Sequence, residues 1–236
     1  MKDTKSYKNL ARLTGLGYLI IFLSGIYANF FVLESLVIPN DATLTMQNIT
    51  DNEMLFRVGF LSFSIMVIVD VLLAWTLYIL LKPVSKSMSL LAAWLRLVNG
   101  TIFAIALFNL LGVLELTSGK AYLNVFNHQQ ISAKVMMLFD SFNNTWLLGL
   151  VFFGLHLLVL GYLVYKSGYL PKFIGVLLAL AALGYLIDSF AHFLMPNYGS
   201  YASIFEMVVV IPGVIGESSF TLWLLIKGIN TKLFNA

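Results

Sequence analysis

Residues 146–193 read WLLGLVFFGLHLLVLGYLVYKSGYLPKFIGVLLALAALGYLIDSFAHF, and this stretch decides the fold class of the chain. It contains two apolar runs, each long enough to cross the roughly 30 Å of hydrocarbon in a bilayer, joined by the short basic turn KSGYLPK. We therefore expect a transmembrane helical hairpin. His156, Asp188 and His192 lie inside the runs, where ionisable groups usually face the protein interior and find partners.

The whole chain has the composition of a membrane protein. Of its 236 residues, 60% are hydrophobic and 11% are charged, and the mean hydropathy is +0.90, so there is too little polar surface to cover a soluble globule. The chain contains no cysteine, which excludes disulfides, thiolate catalysis and cysteine-ligated metal. No basic patch interleaved with aromatic residues occurs, so we expect the lipid bilayer as the partner and no nucleic acid.

Six apolar runs of about 20 residues predict an all-α, polytopic membrane protein with six transmembrane helices in a single domain, residues 1–236. The predicted spans are residues 13–33, 56–81, 88–114, 146–165, 170–194 and 207–226. No small-residue cleavage site follows the first run, so we expect it to be retained as a span.

The connections between the predicted spans alternate in charge, which predicts their orientation. Basic residues lie before span one, between spans two and three, between spans four and five, and after span six: Lys2, Lys5, Lys8, Arg12, Lys82, Lys86, Lys166, Lys172, Lys227 and Lys232. The opposite connections carry Lys120 and Lys134. By the positive-inside rule, both termini are expected to be cytoplasmic.

Two long external connections, residues 34–55 and 115–145, are each expected to contain a short amphipathic helix. Apolar residues recur there with helical spacing: Leu44, Ile49 and Met54 in the first, and Ile131, Val135, Met136 and Leu138 in the second. Asn40 and Asp41 follow Pro39, a pattern typical of a helix start. The two helices would form either a roof over the bundle or a lid for a ligand.

A depth count places four ionisable side chains at one level near the middle of the membrane. Asp70, Arg96, His156 and Glu217 each lie ten to twelve positions from a cytoplasmic lysine, at about 1.5 Å of helix rise per residue. With Asn99, they form the predicted inner polar layer. Asn99 in span three, and likewise Asn29 in span one, is expected to hydrogen-bond to a neighbouring helix.

The pairing within the inner polar layer has two interpretations. Arg96 can hold a carboxylate bidentately, so one interpretation is a structural clasp that joins spans two, three and six through Asp70 and Glu217. The other is unequal pairing, in which one carboxylate is left to His156 or to a ligand. Unequal pairing would give a pocket that responds to protons.

Span six contains Pro212 and Gly213 just ahead of Glu217. Proline removes a helical donor and leaves the carbonyl group of Val208 without its usual partner, so we expect a bend. Broken helices at this depth often line cavities. The alternative is a bend that serves packing only, with Gly216 allowing close helix approach.

A predicted outer polar layer consists of Asp188 and His192, four positions apart on one helix face, with Arg57 and Glu206 at the rim. If Glu206 supplied a third ligand, an open zinc site would activate water. Apart from such a metal ion, the sequence predicts no cofactor. The alternative is an orienting Asp–His pair without metal.

Four segments together resemble the bacterial membrane-protein family catalogued as domain-of-unknown-function family 4386. They are IPNDATLTMQNITDNEMLFRVG (38–59), LYILLKPVSKSMSLLAAWLRLVNG (77–100), LVFFGLHLLVLGYLVYKSGYLPKFIGVLLALAALGYLID (150–188) and GESSFTLWLLIKG (216–228). The resemblance extends from Ala11 to about Gly228. It implies a six-span protein of the bacterial cytoplasmic membrane and carries no catalytic role. It matches polar positions of the family pattern at Arg57, Asp70, Arg96, His156 and Glu217, whereas position 188 is less regular.

These patterns support three functions. The favoured one is a non-enzymatic membrane protein with a mid-membrane polar pocket, which is either a small-solute or proton-coupled carrier or an accessory protein that binds a small molecule or lipid. The second is an intramembrane metal-dependent hydrolase acting on lipid. The third is a structural or assembly subunit whose buried charges lock helices together. The sequence leaves the oligomeric state open.

Overall fold

The computed structural model describes residues 4–230, and this part of the chain consists of helices and short connections without strands. The α-helices are α1 (Thr4–Ile26), α2 (Glu34–Leu36), α3 (Ala42–Asp51), α4 (Glu53–Leu81), α5 (Lys86–Leu116), α6 (His128–Lys166), α7 (Lys172–Leu194) and α8 (Ala202–Ile226). A π-helical segment, Tyr27–Leu33, joins α1 to α2, and 3-10 turns at Ala121–Val125 and Tyr198–Ser200 precede α6 and α8.

Six helical stretches are long and apolar enough to cross a bilayer, which confirms the predicted all-α, six-span fold. They are Ser6–Leu36, Glu53–Leu81, Lys86–Leu116, His128–Lys166, Lys172–Leu194 and Ala202–Ile226. Large apolar side chains such as Ile68, Trp75, Trp94 and Phe108 are exposed on these helices, as expected where lipid is the solvent. The orientation stays a prediction, and two of its lysines, Lys2 and Lys232, lie outside the described residues.

Helix α3 begins where the sequence predicts. The side chain of Asp41 caps it, since its Oδ1 accepts a hydrogen bond of 2.9 Å from the backbone N–H of Leu44. Asn40 adopts a φ of +63°, a left-handed conformation that asparagine tolerates better than most residues. The predicted short helix in the first long connection is therefore present.

The second predicted amphipathic helix is not a separate element. Its apolar residues belong to the first turns of α6, which runs for 39 residues without interruption. Asn127 and Gln130 start this helix with a capping box, in which each side chain accepts a hydrogen bond from the other's backbone N–H at 2.9–3.0 Å. No glycine or proline follows before Gly149, so nothing breaks the helix between the external segment and the span.

The chain divides into two compact units. The first contains Met1–Leu19, Val69–Gly100 and Leu147–Ala236, and the second contains Ile20–Ile68 and Thr101–Trp146. An aromatic core holds the second unit together, with Trp146 stacked on Phe103 at 3.7 Å between ring centroids and edge-on to Phe63 at 5.2 Å. That both units act as one domain, as the sequence suggests, stays a prediction.

In the first unit, α7 and α8 pack with their backbones in contact. A Cβ atom at Gly184 of α7 would overlap the carbonyl oxygen of Val208 in α8, and one at Gly216 would lie 2.9 Å from the carbonyl oxygen of Leu177. The Val208 carbonyl is the one that Pro212 leaves without a helical donor. It packs against Gly184, so this carbonyl serves helix packing.

Candidate functional site

Arg96 of α5 is the centre of a buried polar cluster in the first unit. Its side chain is 1% exposed, and its Nη2 lies 2.5 Å from Oδ1 of Asp70 in α4, which is 4% exposed. The contact uses one carboxylate oxygen, and Nε of Arg96 has no hydrogen-bond partner among the described residues. Arg96 and Asp70 therefore form an ion pair with a single strong contact, and the bidentate fork does not form.

The other terminal nitrogen of Arg96 ties two more helices to this pair. Nη1 donates to the hydroxyl oxygen of Tyr18 in α1 at 3.1 Å and lies 3.2 Å from Nε2 of His156 in α6. Nδ1 of His156 is 2.8 Å from the carbonyl oxygen of Ala92. Because a carbonyl only accepts, Nδ1 carries the proton and Nε2 accepts from Arg96. This hydrogen-bond network assigns a neutral His156 in one tautomer.

Aromatic faces complete the surroundings of the guanidinium group. The Arg96 Cζ atom is 4.9 Å from the ring centroid of Tyr18 and 5.7 Å from that of Phe153, distances at which a cation is attracted to a ring. Tyr18 also meets Phe220 edge to face at 5.5 Å. The positive charge of Arg96 is thus enclosed by one carboxylate and two aromatic side chains.

Glu217 of α8 is held differently from Asp70. Its side chain is partly exposed, and its Oε1 accepts a hydrogen bond of 2.8 Å from the hydroxyl group of Tyr185 in α7. No basic side chain among residues 6–230 forms an ion pair with it. Phe153 meets Tyr185 edge to face at 5.2 Å.

The structure therefore brings Asp70, Arg96 and His156 into contact and leaves Glu217 beside them with a phenol as its partner. The predicted clasp through both carboxylates is not formed. Asn99 makes the predicted bond between helices, since its Nδ2 donates to the carbonyl oxygen of Gly149 at 3.0 Å. The same expectation for Asn29 is wrong. Its Nδ2 donates to the carbonyl oxygen one turn earlier in its own helix, because a short amide side chain reaches its own backbone easily.

The outer polar layer is organised around Tyr198. The Tyr198 hydroxyl donates to Oδ1 of Asp188 at 2.7 Å, and its ring centroid lies 4.6 Å from that of His192. Partial burial and this hydrogen bond raise the pKa of Tyr198, so the phenol stays protonated. Glu206 is exposed. Within the described part of the chain, no three His, Asp or Glu side chains lie close enough to hold a metal ion, so Asp188, His192 and Glu206 are not gathered.

Arg57, placed in the same outer layer by the depth count, pairs within its own helix. Its guanidinium group contacts Oε1 of Glu53, one turn earlier, at 2.6–2.7 Å, and both side chains are about half exposed. An exposed i,i+4 pair of this kind contributes about 0.3–0.5 kcal/mol to stability. Arg57 therefore forms a surface ion pair with Glu53 in the second unit.

Two tyrosines that were not among the predicted site residues, Tyr18 and Tyr185, supply the hydroxyl groups of the cluster. The signal was available, because Tyr18 follows Lys8 by ten positions and Tyr185 follows Lys172 by thirteen. Both fall near the depth of the four ionisable residues. A depth count that includes tyrosine would find them, since a buried phenol needs a hydrogen-bond partner.

Comparisons with known proteins agree with the resemblance of the four sequence segments. The sequence profile of a domain of unknown function, DUF4386, matches residues 13–228. The chain is also similar to an uncharacterised protein from Archaeoglobus fulgidus, with 37% identity over 164 residues, which are 70% of this chain and 80% of the relative. No solved structure matches the chain.

Proposed function

The chain belongs to the DUF4386 family, a domain of unknown function, and from the geometry of its polar cluster we propose that it is a non-enzymatic, proton-coupled carrier of a small solute. Glu217 is the group that exchanges the proton. Asp70, Arg96 and His156 form the fixed part of the site, and Asn99 holds α5 against α6. The observation that carries this proposal is the unequal pairing of the two carboxyl groups.

Unequal pairing makes one carboxyl group free to change its charge. Protonating Asp70 would break its ion pair with Arg96, which leaves a buried guanidinium without a counter-ion. Glu217 gains or loses a proton without breaking any ion pair, because its contact is the neutral hydroxyl group of Tyr185. A proton-coupled carrier needs such a group near the middle of the membrane.

A count of charges leads to the same group. The charges of Asp70 and Arg96 cancel, and the network assigns a neutral His156. The remaining titratable neighbours, Tyr18 and Tyr185, are phenols, which are neutral near pH 7. The net charge of the cluster therefore changes between zero and one negative charge through Glu217 alone.

The buried pair also supports a second candidate, a structural or assembly subunit. Arg96 contacts side chains from α1, α4 and α6, so it locks four helices together whether or not a solute binds. Under this candidate, Glu217 would have no titration that matters for function. The two candidates are separated by following the protonation of Glu217.

The location of the protein is part of the proposal. We place it in the cytoplasmic membrane with both termini inside, supported by the lysines that flank the hairpin turns between α4 and α5 and between α6 and α7, Lys82, Lys86, Lys166 and Lys172.

Infrared difference spectroscopy of the protein in lipid nanodiscs tests the proposal. As the pH is lowered, the carbonyl stretch of a newly protonated carboxylic acid should appear in the wild type and disappear in Glu217→Gln. Glu206→Gln, a change of an exposed glutamate in the same helix, is the matched control and should keep the band. If the carboxylic acid band remains in Glu217→Gln, or if the wild type shows no such band as the pH is lowered, the result favours the structural or assembly function.

A further inference from the structure

The surroundings of Glu217 combine one carboxyl group with aromatic walls. Tyr185 donates to its Oε1 at 2.8 Å, and Phe153 lies edge to face with Tyr185 at 5.2 Å between centroids. All three residues are partly exposed. Gly213 packs closely against the same two groups, since a Cβ atom there would lie 3.3 Å from the Tyr185 hydroxyl and 3.6 Å from Glu217 Oε1.

We propose that Glu217, Tyr185 and Phe153 form a binding site for one weakly hydrated, monovalent organic cation, and that this cation and a proton compete for Glu217. The inference rests on the proposed carrier function, because it names the class of solute whose movement the proton would drive. The cation lies on the side of Tyr185 and Gly213, since Arg96 occupies a face of Phe153 at 5.7 Å.

The charge of the cluster sets the charge of the ligand. Ionised Glu217 leaves one negative charge uncompensated, because Arg96 is already paired with Asp70 and His156 is neutral in the hydrogen-bond network. A proton or a monovalent cation restores neutrality, and the two together would exceed it. Burying an uncompensated charge in a membrane is costly, so the two ligands exclude each other and exchange one for one.

The side chains around Glu217 favour an organic cation over a metal ion. A hard divalent cation takes six or more oxygen ligands, whereas this site offers the two carboxylate oxygens and the Tyr185 hydroxyl. Aromatic rings attract cations that have little water to lose, and quaternary ammonium groups are the best-known example.

An anion is disfavoured by the same geometry. The positive charge in the cluster is Arg96, whose terminal nitrogens are bonded to Asp70, Tyr18 and His156. Ionised Glu217, which forms no ion pair among the described residues, would repel an anion. The site therefore selects for positive charge.

Binding of tetraphenylphosphonium to the full-length protein in nanodiscs tests the inference, with tetraphenylborate as a probe of the same shape and opposite charge. Isothermal titration calorimetry in buffers of different ionisation enthalpy measures both affinity and proton release. We expect one phosphonium per chain, proton release that approaches one per phosphonium below the pH at which Glu217 titrates, and affinity that rises with pH. Tetraphenylborate should show neither proton release nor this pH dependence.

Variants assign the binding to the proposed residues. Glu217→Gln should weaken phosphonium binding by at least about tenfold and abolish the proton release, whereas Glu206→Gln should bind like the wild type. Phe153→Leu should weaken binding about fivefold, as expected for the loss of one cation–π contact. Size-exclusion profiles establish that each variant is folded, and the pH dependence of the wild type tests the inference without any variant.

The outcomes separate this inference from the proposed function. If Glu217 titrates in the infrared experiment and phosphonium binding is unaffected by Glu217→Gln or independent of pH, the cation site is wrong and the proton-exchanging group stands. If Glu217 does not titrate, both fail.

Discussion

Asp70 and Glu217 are two carboxyl groups in apolar helices of the same unit, and they differ in what holds them. Asp70 is buried and forms an ion pair with Arg96 at 2.5 Å. Glu217 is partly exposed, and its hydrogen bond comes from a tyrosine hydroxyl. A count along the sequence places both at the same depth, so depth does not distinguish them. The pairing makes Asp70 part of a buried ion pair, and under the proposed function it leaves Glu217 as the carboxyl group that exchanges a proton.

The largest loss of stability is expected from Arg96→Met, which removes the ion-pair partner of Asp70 and leaves the partner of Glu217 in place. The change leaves Asp70 buried without a counter-ion and takes the donor from Tyr18 and His156. Breaking a buried pair in this way costs about 3–5 kcal/mol. Reversible unfolding in mixed detergent micelles measures the loss of stability.

Two further variants show whether that loss comes from the broken pair. Arg57→Met removes the cation of an exposed pair and should change stability by less than about 1 kcal/mol. The double variant Arg96→Met/Asp70→Leu removes both charges and should recover much of the loss. If the double variant is as unstable as Arg96→Met, the packing of the arginine is what matters, and the contrast with Glu217 does not depend on charge.

The six spans were predictable because length and hydropathy are local properties. A run of about 20 apolar residues crosses the bilayer wherever its neighbours lie, and the cap of α3 depends on residues within one turn, Asp41 and Leu44. The prediction of a separate amphipathic helix within residues 115–145 is wrong for a reason that is also local. Its apolar residues are helical, as their spacing indicates, but no glycine or proline between Asn127 and Gly149 ends the helix before the span.

The partners inside the candidate site were predictable only in part. The depth count puts Asp70, Arg96 and His156 at one level, since it needs only the rise per residue, and the structure brings these three side chains into contact. It cannot say toward which neighbour each side chain points, because that depends on how each helix is rotated about its axis by packing. The contact between Gly184 and the Val208 carbonyl fixes how closely α7 and α8 approach. For this reason the partner of Glu217, Tyr185, was not foreseen.

Gly184→Ala should change the hydrogen bond between Tyr185 and Glu217 and leave the ion pair of Asp70 unchanged. The added methyl group overlaps the Val208 carbonyl oxygen, so α7 and α8 must move apart, and Tyr185 is the next residue along α7. Overpacking of this kind costs about 1–3 kcal/mol. Unfolding in micelles measures the loss, and the infrared band of Glu217 should shift as its donor moves.

Gly199→Ala is the matched control, because a Cβ atom there meets nothing within 4 Å. It should leave both stability and the infrared band unchanged. Equal effects of the two glycine changes would mean that the α7–α8 contact does not position Tyr185.

Tyr185→Phe should have a smaller effect, limited to the hydrogen bond on Glu217. The ring that packs against Phe153 is kept, and the hydroxyl donor at 2.8 Å is lost. The expected loss of stability is about 1 kcal/mol, and the Glu217 carbonyl band should move to the position of a carboxyl group without a donor. Tyr198→Phe, which removes the donor to Asp188, should reduce stability by a similar amount and leave the Glu217 band where it is.

The smallest effect on stability is expected from Glu217→Gln, and it gives the sharpest form of the comparison. The amide oxygen still accepts from Tyr185 and no ion pair is lost, so stability should change by less than about 1 kcal/mol. Asp70→Asn neutralises a carboxyl group in the same way, but it leaves the guanidinium of Arg96 buried without a counter-ion, which costs several kcal/mol. Unfolding of Glu217→Gln and Asp70→Asn under the same conditions measures the difference between their free energies of unfolding. Equal losses would mean that Glu217 is also part of a structural ion pair, and the role of proton exchange would have to be given up.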